Sequence, residues 1–341
     1  MTGGRRRVAV IFGGRSAEHE ISVASARSVV DALDPECYDV RAIEIGQDGR
    51  WHLEPVAEQG RIGEGGGALP VPADTSSSPF EGVDVVFPVL HGPFGEDGTV
   101  QGFLELAEVA YVGAGVTASA LCMDKDLFKA VMRDKGVPVV DSVTVLDRHR
   151  DRAESPFGFP VVVKPARLGS SVGISIVKEP EQLGPAIDLA LEHDEKILLE
   201  EFVGGVEVEC SVLGNEEPIA SIPGEIVPLS SDWYDFSAKY DEGGMELVVP
   251  PRLDARTIAR VQELAVAAFV ASDCEGMARV DFFVRENGEV VVNELNTIPG
   301  FTATSVYAKL FEASGIPYAE LLDRLVELAL ERRDRRARLK Y

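Results

Sequence analysis

The sequence predicts a multidomain enzyme of mixed α/β and α+β class, with its site in a cleft between sections. Three observations carry that prediction. Strand, helix and strand alternate near the N-terminus, the order of a doubly wound α/β layer. A compact middle section mixes short strands with one helix around a glycine–serine loop. Residues 277–285 and 289–295 then alternate as two strands around Asn287-Gly288, a strong hairpin signal.

Taken in order, residues 8–12 read as a buried parallel strand, followed by Gly13-Gly14 and a helix capped by Ser16. Strands over 40–45 and 83–90 continue the layer. Residues 46–80, rich in Gly, Pro and Ser, read as a surface insertion with at most a short hairpin around Trp51. A helix runs from Asp124 to Gly136, the glycine at its C-cap and Pro138 beyond. Strands over 159–164 and 174–178 flank the loop 167–173, and a helix over 181–193 and a strand over 196–202 close the middle section. Strands over 206–213 and 219–226, a helix over 255–271, the hairpin and two terminal helices make a larger last piece. The expected division is 1–121 for an N-terminal α/β domain, 122–203 for a central section and 204–341 for a C-terminal one.

The 341 residues suffice for two or three domains with real cores, and 45% apolar with 26% charged residues is ordinary globular composition. A formal charge of −24 argues against nucleic acid and anionic membrane as partners. Any phosphate site must therefore gather its lysines locally. Four scattered cysteines without a C-x-x-C pair fit reduced, buried thiols in a cytoplasmic protein. No signal-peptide pattern and no apolar run of transmembrane length is found. The basic stretch 332–340 reads as the positive end of a final helix, which suits the macrodipole.

A two-residue turn at Asn287-Gly288 pairs Glu286 with Glu289 and lets the ladder run unshifted. Asp281 then faces Glu294 and Arg279 faces Asn296, all four on one side of the sheet. Facing carboxylates repel unless something positive lies between them. Two carboxylates and an amide oxygen suit Mg²⁺ or Mn²⁺ with positions left for phosphates. A solvated face neutralised by Arg279 accounts for Asp281, but not for Glu294 and Asn296. The stretch from Lys164 to Gly173 adds a strand-end point charge, glycines that let backbone N–H groups approach an anion, and the hydroxyls of Ser170 and Ser171. It lacks the Walker A ending, and Gly13-Gly14 lacks the dinucleotide fingerprint, which counts against a dehydrogenase.

A strand-end lysine, a glycine–serine flap, Leu198-Leu-Glu-Glu-Phe-Val203, then R-x-D and E-x-N on a hairpin together resemble the ATP-grasp superfamily. Within it the whole chain looks like the D-alanine–D-alanine ligases. Gly13-Gly-Arg-Ser-Ala-Glu18-His-Glu20-Ile-Ser, His91-Gly-Pro-Phe-Gly-Glu-Asp-Gly98, Met123-Asp-Lys125, Ala238-Lys239-Tyr240 and Asn293-Glu-Leu-Asn-Thr-Ile-Pro-Gly300 match that family's motifs in order.

The resemblance implies an ATP-grasp fold: an N-terminal Rossmann-like α/β domain plus two α+β domains sandwiching ATP. It implies ligation of two D-alanines through a D-alanyl phosphate, for peptidoglycan precursor synthesis. Lys125, Lys164, Ser171 and the flap would meet the phosphates, and Lys239 the transferred one. Glu200, Glu201, Val203 and Glu207 would line the adenosine pocket, backbone groups at 201 and 203 reading the adenine edge. Asp281, Glu294 and Asn296 would hold two Mg²⁺ or Mn²⁺ ions. Glu18, aided by Ser170 and Tyr240, would anchor the ammonium of the first D-alanine, with His91 nearby. Arg279 and the N–H of Gly300 would receive the oxyanion, and Ser305 with the backbone of Val306 the second carboxylate. Many relatives carry Leu where Val306 stands, a change that leaves a backbone contact intact. Dipeptide-forming relatives keep a tyrosine like Tyr240 and depsipeptide ligases replace it, so D-alanyl-D-alanine is expected rather than D-alanyl-D-lactate. Another carboxylate–amine ligase and a non-catalytic ATP-binding module are the rival readings. Residues 167–173 and 230–245 would act as lids, and a homodimer through the N-terminal section is expected.

Overall fold

The computed structural model describes residues 4–54, 69–70, 80–229 and 244–340. Three sheets follow one another along the chain. Strands β1 (Arg6–Gly13), β2 (Tyr38–Ile45), β3 (Trp51–Glu54), β4 (Leu69–Pro70), β5 (Val85–Pro88) and β6 (Ala110–Tyr111) lie in the order β4-β3-β2-β1-β5-β6. The pairs β1–β2, β1–β5 and β5–β6 are parallel, as in a doubly wound layer. Val8 to Phe12 are fully buried, because helices cover both faces of such a sheet. The stretch after residue 46 extends this sheet: β3 runs antiparallel to β2, and β4 to β3.

Helix His19–Ala32 packs on β1, and its N-cap is Glu18 rather than Ser16. Ser16 instead accepts the Glu18 N–H on its hydroxyl at 3.3 Å, so the serine shapes the turn ahead of the helix. The last helix, Tyr318–Arg336, returns to the N-terminal sheet and buries Leu321, Leu322, Leu325 and Val326 in the core of Val8, Val10 and Phe12. Helices Thr99–Leu106 and Val116–Met123 were not anticipated from the sequence. All four cysteines are free; Cys122, Cys210 and Cys274 are buried as expected, but Cys37 is exposed.

The second sheet is antiparallel, β7 (Ser142–Leu146), β8 (Val161–Pro165), β9 (Ser175–Val177) and β10 (Lys196–Glu201) in the order β7-β10-β8-β9. The third contains β11 (Val206–Gly214), β12 (Ile219–Ala220), β13 (Gly224–Pro228), β14 (Met245–Val248), β15 (Gly276–Val284) and β16 (Val290–Asn296), ordered β14-β13-β11-β15-β16, with β12 on β11. The single strand expected over 219–226 is thus two, interrupted where Pro223 offers no N–H to a ladder. Helix Ala255–Ala271 covers the third sheet, matching its expected span.

The β15–β16 hairpin departs from the expected ladder twice. Its loop has three residues, not two: Gly288 sits at φ 82, its N–H donates to the Arg285 carbonyl at 2.9 Å, and the Arg285 N–H to the Glu289 carbonyl at 2.9 Å. Glu286 therefore does not pair with Glu289, and Val284 faces Val290. A register shift between Asp281 and Phe282 then leaves Asn293 without a counterpart on β15. The two offsets cancel. Asp281 faces Glu294 and Arg279 faces Asn296.

Candidate active site

Residues directly opposite on neighbouring strands share a face. Glu209, Asp281 and Glu294 therefore form one row across β11, β15 and β16, and Ser211, Arg279 and Asn296 the next. Arg279 grips Asp281 with two contacts of 2.7 Å and reaches Glu209 at 2.9 Å. The Asn296 amide donates to Asp281 at 3.0 Å, and Lys125 Nζ lies 3.2 Å from Glu294. The row of acids is thus met by two cations. Among the described residues no group of three or more His, Cys, Asp or Glu side chains forms a metal cage. The donor set of two carboxylates and an amide oxygen nonetheless fits a hard divalent ion that keeps positions for other oxygen ligands. Glu209 was not singled out from the sequence, although its two-residue spacing from Glu207 along a strand put both on one face.

Beside this row, Lys164 Nζ bonds Glu200 at 2.7 Å and the unpaired Asn293 at 3.2 Å. The bulge has turned Asn293 towards the lysine. The other Glu200 oxygen accepts from Lys129, whose ammonium also bonds the Val140 carbonyl at 3.1 Å. All three charged groups are buried. Burial pushes Glu200 up, but the ammonium groups of Lys129 and Lys164 outweigh it and hold the carboxyl below its ordinary range. Burial brings Lys129 down to about 8, against the attraction of Glu200, since two lysines share one carboxylate. Lys129 carried no motif and was missed.

Lys125, Lys164, Ser171, Glu200, Glu201, Val203 and Glu207 line a cleft of ≈ 390 Å³ between the second and third sheets. Apolar Val162, Ile176 and Phe283 supply its walls. The Glu201 carboxylate is taken by Arg285, and its N–H donates to the Asp141 carbonyl at 3.0 Å. A second cavity of ≈ 450 Å³ is lined by Glu18, His91, Ser170, Arg279, Asn296, Gly300, Ser305 and Val306. The two cavities share Gly169, Ser170 and Glu294.

The glycine–serine loop spans that junction. Ser170 and Ser171 have φ of 53° and 58°, a strained region for non-glycine residues. The Ser170 hydroxyl donates to the Glu18 carboxylate, and Lys125 Nζ donates to the Leu168 carbonyl at 2.8 Å. His91 uses both ring nitrogens internally: Nδ1 bonds the Ile298 carbonyl at 3.0 Å, and Nε2 faces the Ser25 hydroxyl at 3.3 Å. Burial holds its pKa below the ordinary histidine value. Ser305 precedes helix Val306–Ala313 without capping it by its side chain. Its hydroxyl is engaged by Thr302, at 3.0 Å from the N–H and 2.8 Å from Oγ1. Such an uncapped helix start suits a carboxylate. Tyr240 and Lys239, with 230–243 of the second expected lid, lie outside the described residues.

Family models for the D-ala D-ala ligase N-terminus and C-terminus match residues 7–114 and 131–327. A D-alanine--D-alanine ligase of Oceanobacillus iheyensis is 41% identical over 360 residues, spanning 98% of each chain. Among solved structures, the VanG D-Ala:D-Ser ligase from Enterococcus faecalis superposes with a TM-score of 0.86 at 38% identity, covering 96% of this chain and 100% of that one. The D-alanine-D-alanine ligase from Coxiella burnetii gives 0.84 at 38% identity, covering 98% and 96%.

Proposed function

The chain belongs to the D-alanine–D-alanine ligase family, and from that premise we propose that it joins two D-alanines to D-alanyl-D-alanine, using ATP and releasing ADP and phosphate. The observation that carries this reading is the junction of the two cavities at Gly169, Ser170 and Glu294. A nucleotide in the first cavity would present its terminal phosphate to an amino acid in the second.

In the first step a carboxylate oxygen of D-alanine attacks the γ-phosphorus and ADP leaves. Lys125, Lys164 and Lys239 meet the phosphate charge, while Ser171 and the flap cover it. Glu200 acts by fixing Lys164, since both its oxygens are engaged by lysines. Glu201, Val203 and Glu207 border the adenosine, with Glu201 contributing through its backbone. Glu18, steadied by Ser170 and Tyr240, holds the substrate ammonium. Asp281, Glu294 and Asn296 would hold Mg²⁺ or Mn²⁺, which when bound offsets the crowding of phosphate charge.

In the second step the deprotonated amine of the other D-alanine attacks the acyl carbon and phosphate leaves. Arg279 and the N–H of Gly300 receive the oxyanion. Ser305 and the N–H of Val306 hold the second carboxylate. His91, with both nitrogens engaged, serves by placing the Ile298 segment rather than by touching substrate. Acyl phosphates hydrolyse readily, so the flap must exclude water. The enzyme would work in the cytoplasm, supplying peptidoglycan precursors, as a homodimer through its N-terminal section.

Purified protein incubated with ATP, Mg²⁺ and D-alanine should yield the dipeptide and phosphate. Offering D-lactate, D-serine and L-amino acids as acceptors tests the product assignment. ATP binding without any product would leave only a binding module.

A further inference from the structure

The loop that carries His91 holds a second titratable group, the half-buried Glu96, which the reaction above does not use. Glu96 lines the amino-acid cavity. Its Oε1 accepts the Gly92 N–H at 2.7 Å, and its carboxyl faces the backbone N–H of Ile298, which lines the same cavity. The carbonyl of that same Ile298 accepts from His91 Nδ1 at 3.0 Å. Two side chains of one N-terminal loop thus address one residue of the C-terminal section, His91 by a hydrogen bond to its carbonyl and Glu96 from the side of its N–H.

The loop forms a fixed jaw. A Cβ on Gly95 would lie 2.2 Å from the Leu90 carbonyl oxygen, and one on Gly92, at φ 74, would lie 2.9 Å from Glu18 Oε2. Gln101 donates to the Gly95 carbonyl at 2.8 Å from the following helix. On the other side, Pro299 separates Ile298 from Gly300, and its locked φ passes the placement of Ile298 on with little slack. We propose that Glu96 is a positioning residue for peptide-bond formation: with His91 it fixes Ile298, and through it the Gly300 backbone that faces the second D-alanine. This rests on the ligase reading.

The surroundings agree with such a role. Glu18 and Lys125 act on Glu96, and Glu18 and Arg279 on His91. Burial, and then the negative charge of Glu18, push Glu96 up to about 8. A carboxyl that keeps its proton at neutral pH does not compete with Glu18 for a substrate ammonium.

The test compares full-length Glu96→Ala, Glu96→Gln and Glu96→Asp in steady-state kinetics, with KM for ATP and for each D-alanine. The alanine variant should lose at least about tenfold in kcat and raise the KM for the second D-alanine by a similar factor. KM for ATP should stay within about twofold of wild type. Glutamine, the isostere of the protonated acid, should recover most of the loss. Aspartate, acidic but one methylene short, should not. Unchanged kinetics in Glu96→Ala, or an equal change in ATP and D-alanine constants, overturns the proposal. So does aspartate matching wild type, a comparison that stands even where the alanine variant fails to fold. Wild-type protein that makes no dipeptide at all would instead sink the ligase reading.

Discussion

Ser170 of the glycine–serine loop donates its hydroxyl hydrogen to Glu18 ahead of the first helix, 152 positions away in the chain. The loop reaches across the cleft to do so. Ser170 and Ser171 both occupy the left-handed region, at on the order of 1–3 kcal/mol each for non-glycine residues. Contacts must hold them there, and Glu18 to Ser170 and Lys125 to the Leu168 carbonyl are among them.

Ser170→Ala removes the hydroxyl that donates to Glu18. A hydrogen bond to an ionised group contributes about 1.5–3 kcal/mol. The variant should lose roughly ten- to a hundredfold in kcat/KM for the first D-alanine, with a smaller change in KM for ATP. Steady-state kinetics with each substrate varied reads both. Equal losses for ATP and D-alanine would contradict the Glu18 link.

Lys129→Met tests the buried chain from Lys129 through Glu200 to Lys164. Removing one partner of a buried pair costs about 3–5 kcal/mol, because the remaining charge is left with less compensation. The variant should unfold at lower denaturant concentration and bind ATP more weakly through a displaced Lys164. Adding Glu200→Gln should lower the stability further, since buried Lys164 then loses its counter-charge as well. A single variant as stable as wild type would show that Lys129 holds nothing in place.

Local signals in the sequence were enough for most strands, the helix over 255–271 and the presence of the hairpin, because alternation and turn residues act over a few positions; they misplaced the first helix's N-cap and the hairpin's turn. The facing of Asp281 and Glu294 was read from a two-residue turn that does not form; a bulge at Asn293 restores it. That bulge lies beside Val292, which also bonds Pro138 and Val140 on its other edge, a contact no local pattern announces. Glu209, Lys129 and Glu96 escaped for a related reason. Glu209 and Lys129 are ordinary charged residues until tertiary burial removes their water and supplies their partners, and the half-buried Glu96 until the fold sets it against Gly92. Family resemblance located His91, but only the structure shows both of its nitrogens occupied.

Asp281→Asn and Glu294→Gln should weaken Mg²⁺ or Mn²⁺ binding in the presence of nucleotide, by at least about tenfold. Calorimetric titration of the metal into the protein–nucleotide complex measures this. Asp281→Asn also removes the charge that Arg279 grips, leaving the guanidinium to Glu209, so it should perturb acyl transfer as well. Glu294→Gln, which touches Lys125 instead, should act mainly on the nucleotide side. Unaltered metal affinity in both variants would remove the hairpin face from the metal site.

The elevated pKa of Glu96 makes a prediction about stability against pH. In the unfolded chain this acid ionises near its ordinary 4.5, whereas in the fold it keeps its proton up to about 8. Between those values the folded state binds more protons than the unfolded one, so stability falls as pH rises. The contribution is fully present below about 4.5 and lost once the pH passes 8. Glu96→Gln has no proton to lose, so its stability relative to wild type should grow steadily across that window. A tenfold difference in proton affinity is worth about 1.4 kcal/mol, which puts the full gain at a few kcal/mol. Urea unfolding of both proteins from pH 5 to pH 9 measures the divergence. Parallel curves would mean that Glu96 ionises in the fold much as it does in the open chain.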